Sequence, residues 1–243
     1  MVNFKKGTII SFKGRLAGFF NNNILKYLGI VICGTVWNIG RKRKNYIYNN
    51  DYIRCSSLEL ISHEIYRKNL QGNVAELGVF QGHFAKCINE SFPDRKLYLF
   101  DTFEGFNEKD IKIEYNGVND LKINNTPPNY IHDFSKTSIE LVLKKMKYKE
   151  NCIIKKGYFP ETAKDVEDEF VFVSIDVDLY EPIYNGLCYF YPRLKHGGYI
   201  FIHDYNERKI YSKVKDAVRK YCNENKINFF PLSDICGSAV IIK

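Results

Sequence analysis

Val74-Ala75-Glu76-Leu77-Gly78-Val79-Phe80-Gln81-Gly82 is the stretch on which the fold turns. Val74 to Leu77 is a short apolar run carrying one carboxylate, the pattern of a buried strand, and the two glycines that follow bend the chain into the next apolar segment. A strand, a glycine turn and a helix in that order place the turn at the carboxyl edge of a parallel sheet, where open α/β sheets bind ligands. Gly78 allows a tight turn and Gly82 a close approach of backbone to ligand, functions that a Cβ would obstruct. The spacing is not G-x-G-x-x-G, whose helix N-terminus seats a pyrophosphate, so a phosphate-free ligand is expected.

Downstream of this turn, short apolar runs alternate with longer amphipathic ones, the rhythm of a parallel sheet covered by helices. Strands are expected at Val74 to Leu77, Lys96 to Phe100, Cys152 to Lys155, Phe170 to Ile175 and Tyr199 to Ile202, with a closing pair near Phe229 to Phe230 and Ala239 to Ile242. Helices are expected over Ser56 to Asn69, Phe84 to Ser91, Ser138 to Lys147, Ile183 to Leu194 and Tyr211 to Asn223, with Gly197-Gly198 as the turn before the fifth strand. The fold class is therefore α/β: a doubly wound, mostly parallel seven-stranded sheet with helices on both faces, Rossmann-like. Glu108 to Asp133 is the longest segment without a clear period, and Pro127-Pro128 forbids helix at its end. It reads as a specificity loop beside the substrate mouth or as a surface insertion.

At 243 residues the chain fits one α/β domain with an extension better than two domains. The boundary is placed near Asn50, giving a basic and apolar extension over residues 1–50 and the α/β domain over 51–243. A hydrophobic content of 45% is too high for a disordered chain and too low for a multi-spanning membrane protein. Lys and Arg outnumber Asp and Glu by 36 to 28, a balance that favours phosphate, nucleic acid or anionic lipid as a neighbour and selects none; a solvated basic surface is the plainer reading, and no nucleic acid partner is expected. Seven scattered cysteines with no C-x-x-C pair argue against a disulfide framework or a zinc knuckle and for buried thiols in a reducing cytoplasm. No signal-peptide cleavage pattern is evident. Ile24 to Gly40 is apolar, is followed by Arg41-Lys42-Arg43-Lys44, and falls short of the roughly 20 residues that span a bilayer. It reads first as a lid or homo-oligomer contact and second as an interfacial anchor on the inner face of a membrane.

The chemistry-bearing residues lie at the carboxyl ends of the expected strands. Asp101 ends the second strand 23 residues after Gly78, where a carboxylate can accept hydrogen bonds from ribose hydroxyls. Glu76 at the end of the first strand could meet the ammonium or sulfonium of a cationic ligand. The fourth strand ends in Ile175-Asp176-Val177-Asp178 and the fifth in Ile202-His203-Asp204. Neighbouring strands lie about 4.8 Å apart, so Asp176 and Asp204 can converge on one ion. Hard oxygen ligands suit Mg²⁺ or a similar divalent ion. His203 reads as ligand, general base or core histidine, and Asp178 as the N-cap of the helix that follows.

With these residues in place, the chain resembles the macrocin O-methyltransferase family of class I S-adenosylmethionine-dependent enzymes, which methylate sugar hydroxyls. The resemblance spans Leu58 to Lys243 and rests on AELGVFQGHFA from Ala75, LYLFDTFEGF from Leu97, FSKTSIELV from Phe134, KGYFPET from Lys156, SIDVDLYEPIYNGL from Ser174, YPRLKHGGYIFIHDYN from Tyr191 and the helix with Lys215 to Val218. It implies that Glu76, Gly78, Asp101 and Ser138 contact S-adenosylmethionine, with Val79, Phe80, Gly82, Thr102 and Phe103 beside them. It also implies that Asp176 is metal ligand and candidate base and that Asp204 completes the metal site. The family carries two consecutive Asp residues at the end of strand five, and here the first is His203, which bears on the metal and on the identity of the base. The expected acceptor is a sugar hydroxyl on a nucleotide sugar, a surface polysaccharide or a natural product. Two other readings stand beside this one: a nicotinamide-dependent oxidoreductase or epimerase, and a non-catalytic adaptor on the same sheet.

Overall fold

The computed structural model describes residues 12–28, 32, 51–107, 109–111, 134–206 and 213–243, with residues 12–15 as backbone alone. The chain divides into two compact units, Met1–Arg43 and Lys44–Lys243. In the first, helix α1 (Phe12–Asn23) runs into a short 3-10 turn over Leu25–Leu28. The Asn21 amide clasps the backbone of Ile32 through two reciprocal hydrogen bonds of 2.7 Å, which folds the chain back toward the end of the helix.

In the second unit the apolar runs become a seven-stranded sheet. Its strands are β1 (Asn73–Leu77), β2 (Leu97–Asp101), β3 (Cys152–Lys156), β4 (Phe170–Ile175), β5 (Leu194–Ile202), β6 (Phe229–Pro231) and β7 (Ala239–Ile242), in the order β3-β2-β1-β4-β5-β7-β6. Every pairing is parallel except those of β7, which runs against both its neighbours. Strand β4 is buried at all its positions because helices cover both faces of the sheet. Helices α2 (Tyr52–Arg67), α3 (His83–Ser91) and α4 (Ile139–Lys145) pack Leu58, Ile65, Ile88 and Val142 with Val74, Leu99, Phe172 and Phe201 in one core. Helices α5 (Tyr180–Arg193) and α6 (Lys213–Asn225) pack Ile183, Leu187, Phe190 and Val218 with Leu77, Phe100, Val173 and Ile202 in the other. Each large apolar side chain so buried contributes about 1.5–3 kcal/mol.

The fifth strand begins earlier than its apolar run. Leu194 already pairs with Phe170, and Tyr199 pairs with Phe172, so the extra residues bulge and Gly197-Gly198 lies inside β5 rather than in a turn before it. The bulge needs glycine: Gly197 has φ +86, and a Cβ on Gly198 would come within 3.0 Å of Val171 O. The strand order reverses between β1 and β4, which opens a crevice at their carboxyl ends. The expected loop over residues 108–133 lies outside the described residues except for 109–111, as do Tyr211 at the expected start of α6 and most of the apolar stretch over 24–40.

Candidate active site

The crevice is built by two turns that lock together. Strands β1 and β4 end side by side, with Asp176 N donating to Leu77 O at 2.8 Å. A Cβ on Gly78 would lie 1.9 Å from Asp176 O, and Gly78 has φ +86, so glycine is what lets the end of β4 pass. Gly82 has a different reason to be glycine. It opens α3 at φ +74, and a Cβ there would meet Val142 of α4 at 2.9 Å, so its smallness serves helix packing.

Asp101 shapes the first turn. Its Oδ2 accepts from the backbone of Val79 at 2.7 Å and Phe80 at 2.8 Å, and its Oδ1 from Phe103 N at 2.6 Å. A carboxylate offers about four acceptor positions, and three are taken, so one remains for a ribose hydroxyl where two hydroxyls were expected to find partners. The bonds to Val79 and Phe80 hold Phe80 at φ +46, a conformation that a bulky residue adopts at a cost.

The tips of β4 and β5 bring their ionisable groups together. His203 Nδ1 stands 3.1 Å from Asp176 Oδ1 and 3.1 Å from Asp204 Oδ2, and ligand atoms of all three residues lie within 4.8 Å of one another. The other ring nitrogen, Nε2, is 3.7 Å from Oδ2 of Asp51, whose Oδ1 caps α2 by accepting from Arg54 N. Burial lowers the His203 pKa, but the charge of Asp176 and hydrogen bonds to Asp176 and Asp204 outweigh it and push it up to about 12. Burial raises the Asp176 carboxyl, yet His203 and Arg54 together hold it below the usual carboxylate range.

Arg54 is the residue that sequence reasoning missed. Its Nη1 donates to Asp176 Oδ2 at 2.8 Å, its Nη2 to Ser174 Oγ at 2.8 Å, and its guanidinium lies 3.8 Å over the Phe84 ring. The signal was present: Arg54 stands four residues before Leu58 on the buried stripe of α2, where a charge needs a partner. Asp178 is a correction. It does not cap α5, whose N-cap is Leu179 with no side-chain bond; at φ +62 it turns to Asp204 instead. Burial and the hydrogen bond to Asp204 raise the Asp178 pKa well above its ordinary value, so Asp178 keeps its proton and donates a hydrogen bond to the Asp204 carboxylate.

A cleft of about 560 Å³ joins these parts. Glu76, Gly78, Val79, Phe80, Asp101, Thr102, Asp176, His203 and Asp204 all line it, and so do Arg54, Asp178 and Asp110. Gly82, Phe103 and Ser138 do not line it; Phe103 is buried, and Ser138 is exposed, its Oγ accepting from Leu141 N as the cap of α4. Glu76 is 1% exposed, burial pushes its carboxyl well above the usual range, and its Oε2 has no hydrogen-bond partner among the described residues.

A seven-stranded sheet with an antiparallel β7 and a glycine turn at the β1 edge of the crevice defines a class I methyltransferase-like Rossmann fold. Solved structures with the same architecture include the O-methyltransferase NovP, with 19% identity over 78% of this chain and 79% of that one at a TM-score of 0.58. They also include the calicheamicin methyltransferase CalS11, at 17% identity over 99% of both chains and a TM-score of 0.57. An apo structure of CalS11, described as a TDP-rhamnose 3'-O-methyltransferase, aligns at 16% identity over 96% of this chain and 95% of that one with a TM-score of 0.51. No curated protein sequence matches the chain. The profile of the macrocin O-methyltransferase (TylF) family matches residues 52–243, and the chain belongs to that family. It is an S-adenosylmethionine-dependent O-methyltransferase.

Proposed function

We propose that this enzyme methylates a hydroxyl of a sugar, carried on a nucleotide, a surface polysaccharide or a glycosylated natural product, with a divalent ion held by Asp176, His203 and Asp204. The observation that carries the reading is the meeting of those three side chains on the rim where the Gly78 turn sits. The sugar acceptor is supported by the family and by the acceptor in the description of CalS11, a TDP-rhamnose.

S-adenosylmethionine supplies an electrophilic methyl group. The buried Glu76 suits it, since an acid that burial keeps neutral regains its charge when a cationic ligand comes near. For the ion, the donor set fits. Ligands about 2.1 Å from an octahedral centre and at right angles stand about 3.0 Å apart, close to the 3.1 Å separations around His203 Nδ1. An ion here would lower the pKa of the acceptor hydroxyl. One imidazole among the donors moves the preference from Mg²⁺ toward ions such as Mn²⁺, Co²⁺ or Zn²⁺.

The chain's own groups divide the remaining work. Arg54 holds Asp176 Oδ2, which leaves Oδ1 facing the site. Asp178, protonated, orients Asp204. The ligand and base duties of His203 compete at Nδ1. With an ion bound there, Nδ1 would be a ligand, the ring would keep its proton on Nε2 toward Asp51, and Asp176 would be the candidate base. Without one, the charge of Asp176 and the hydrogen bonds to Asp176 and Asp204 keep His203 protonated at neutral pH, so the ring has no free nitrogen for the acceptor's proton and Asp176 remains the candidate base.

The test is methyl transfer from radiolabelled S-adenosylmethionine to separated sugar nucleotides and glycans. Asp176→Asn is expected to abolish transfer while S-adenosylhomocysteine still binds, measured by calorimetry. Equal turnover in the variant, or binding of NADH in place of the methyl donor, refutes the reading.

A further inference from the structure

The basic charge of this protein is not spread along it. Of its 36 Lys and Arg, nine fall in the first 50 residues, which contain no Asp or Glu; the rest of the chain holds 27 basic against 28 acidic residues and is close to neutral. The N-terminal segment therefore accounts for the positive net charge of the whole chain.

The same segment carries an exposed apolar surface. Seven of the twelve exposed large apolar residues described lie between Leu16 and Ile32. Leu16, Phe19 and Phe20 follow one another at the i, i+3, i+4 spacing of a single helix face, and the face continues into Ile24, Tyr27 and Leu28. Phe19 is 58%, Tyr27 77% and Leu28 66% exposed. The other five, Ile53, Leu141, Phe230, Ile235 and Ile242, belong to the α/β unit, and Ile235 lines the cleft.

Positive charge without any negative charge, joined to an apolar helix face, calls for a partner with anions at its surface and hydrocarbon beneath. Nucleic acid offers the first without the second, and an apolar protein groove the second without the first. No described helix is long and apolar enough to cross a membrane, so the contact would lie in the interface plane. We propose that α1 and the turn after it dock on an anionic lipid bilayer, with Leu16, Phe19 and Phe20 entering the acyl boundary. The basic residues of the segment draw it to phosphate headgroups. This inference is independent of the acceptor and of the metal.

The experiment is co-sedimentation of the full chain with vesicles of phosphatidylcholine alone or with about 30% phosphatidylglycerol, at low and high salt. Binding is expected on the anionic vesicles, with loss at high salt. Phe19→Ser combined with Phe20→Ser should weaken it at least about tenfold while the thermal melt and methyl transfer stay as in the parent, because both side chains already face solvent. Equal binding to both vesicles, unchanged binding by the double variant, or retention solely on RNA or by a second copy of the chain overturns the proposal.

Discussion

Arg54→Met isolates the contact that ties the helix before the sheet to the tip of β4. The substitution keeps length and apolar packing over Phe84 but removes the donors to Asp176 Oδ2 and Ser174 Oγ. Breaking a buried ion pair by deleting one partner costs about 3–5 kcal/mol, and a buried hydroxyl losing its donor costs about 1 kcal/mol more. Two circumstances pull the sum down. Asp176 is 24% exposed and keeps His203 at 3.1 Å, and burial is the largest influence on Arg54, so part of its own desolvation is recovered. The expected net loss is about 3 kcal/mol. With a urea slope of about 2–3 kcal/mol/M, the unfolding midpoint falls by roughly 1–1.5 M. Asp176 gives the pH dependence. Its folded pKa lies below its ordinary value of 3.8, so its contribution is present above that pH and is lost as pH falls through the folded value; the gap between parent and variant should narrow in acid. A cycle with Asp176→Asn should give a coupling of at least about 1 kcal/mol. A loss under about 1 kcal/mol without coupling would place the pair among exposed ion pairs and refute the role assigned to Arg54.

Three further outcomes are expected. Gly78→Ala should cost more than about 4 kcal/mol, while Gly105→Ala, also at positive φ but with its nearest neighbour 3.4 Å away, should cost about 1 kcal/mol; equal losses in denaturant unfolding would mean that the clash with Asp176 O is relieved. His203 has a folded pKa raised from 6.5 to about 12, so its contribution in the ion-free protein is full below pH 6.5 and is lost as pH rises toward 12. His203→Asn should therefore be most destabilised near pH 6 and approach the parent at high pH, and a gap constant with pH would contradict this. In calorimetric titrations the parent should bind Mn²⁺ or Co²⁺ more tightly than Mg²⁺, and His203→Asp should narrow that difference; a difference unchanged in the variant would remove the imidazole from the ligand set.

The chain's own periodicities determined the fold. Apolar runs such as Phe170 to Ile175 can be satisfied only between two helical layers, and the glycine turn after β1 could be read because tight turns depend on local backbone geometry. The convergence of Asp176, His203 and Asp204 was legible for the same reason, since parallel strands of like length end on one edge. What each group does there was decided by tertiary contacts. Arg54 reaches Asp176 across 122 residues of chain, a distance over which no spacing rule acts. Asp178 stands where a helix cap is expected, yet a left-handed backbone turns it to Asp204, while Ser138, placed with the cofactor by resemblance, also caps α4. Secondary structure follows from interactions a few residues long, whereas the charge state and partner of a buried polar group depend on whatever the folded chain brings within about 4 Å of it.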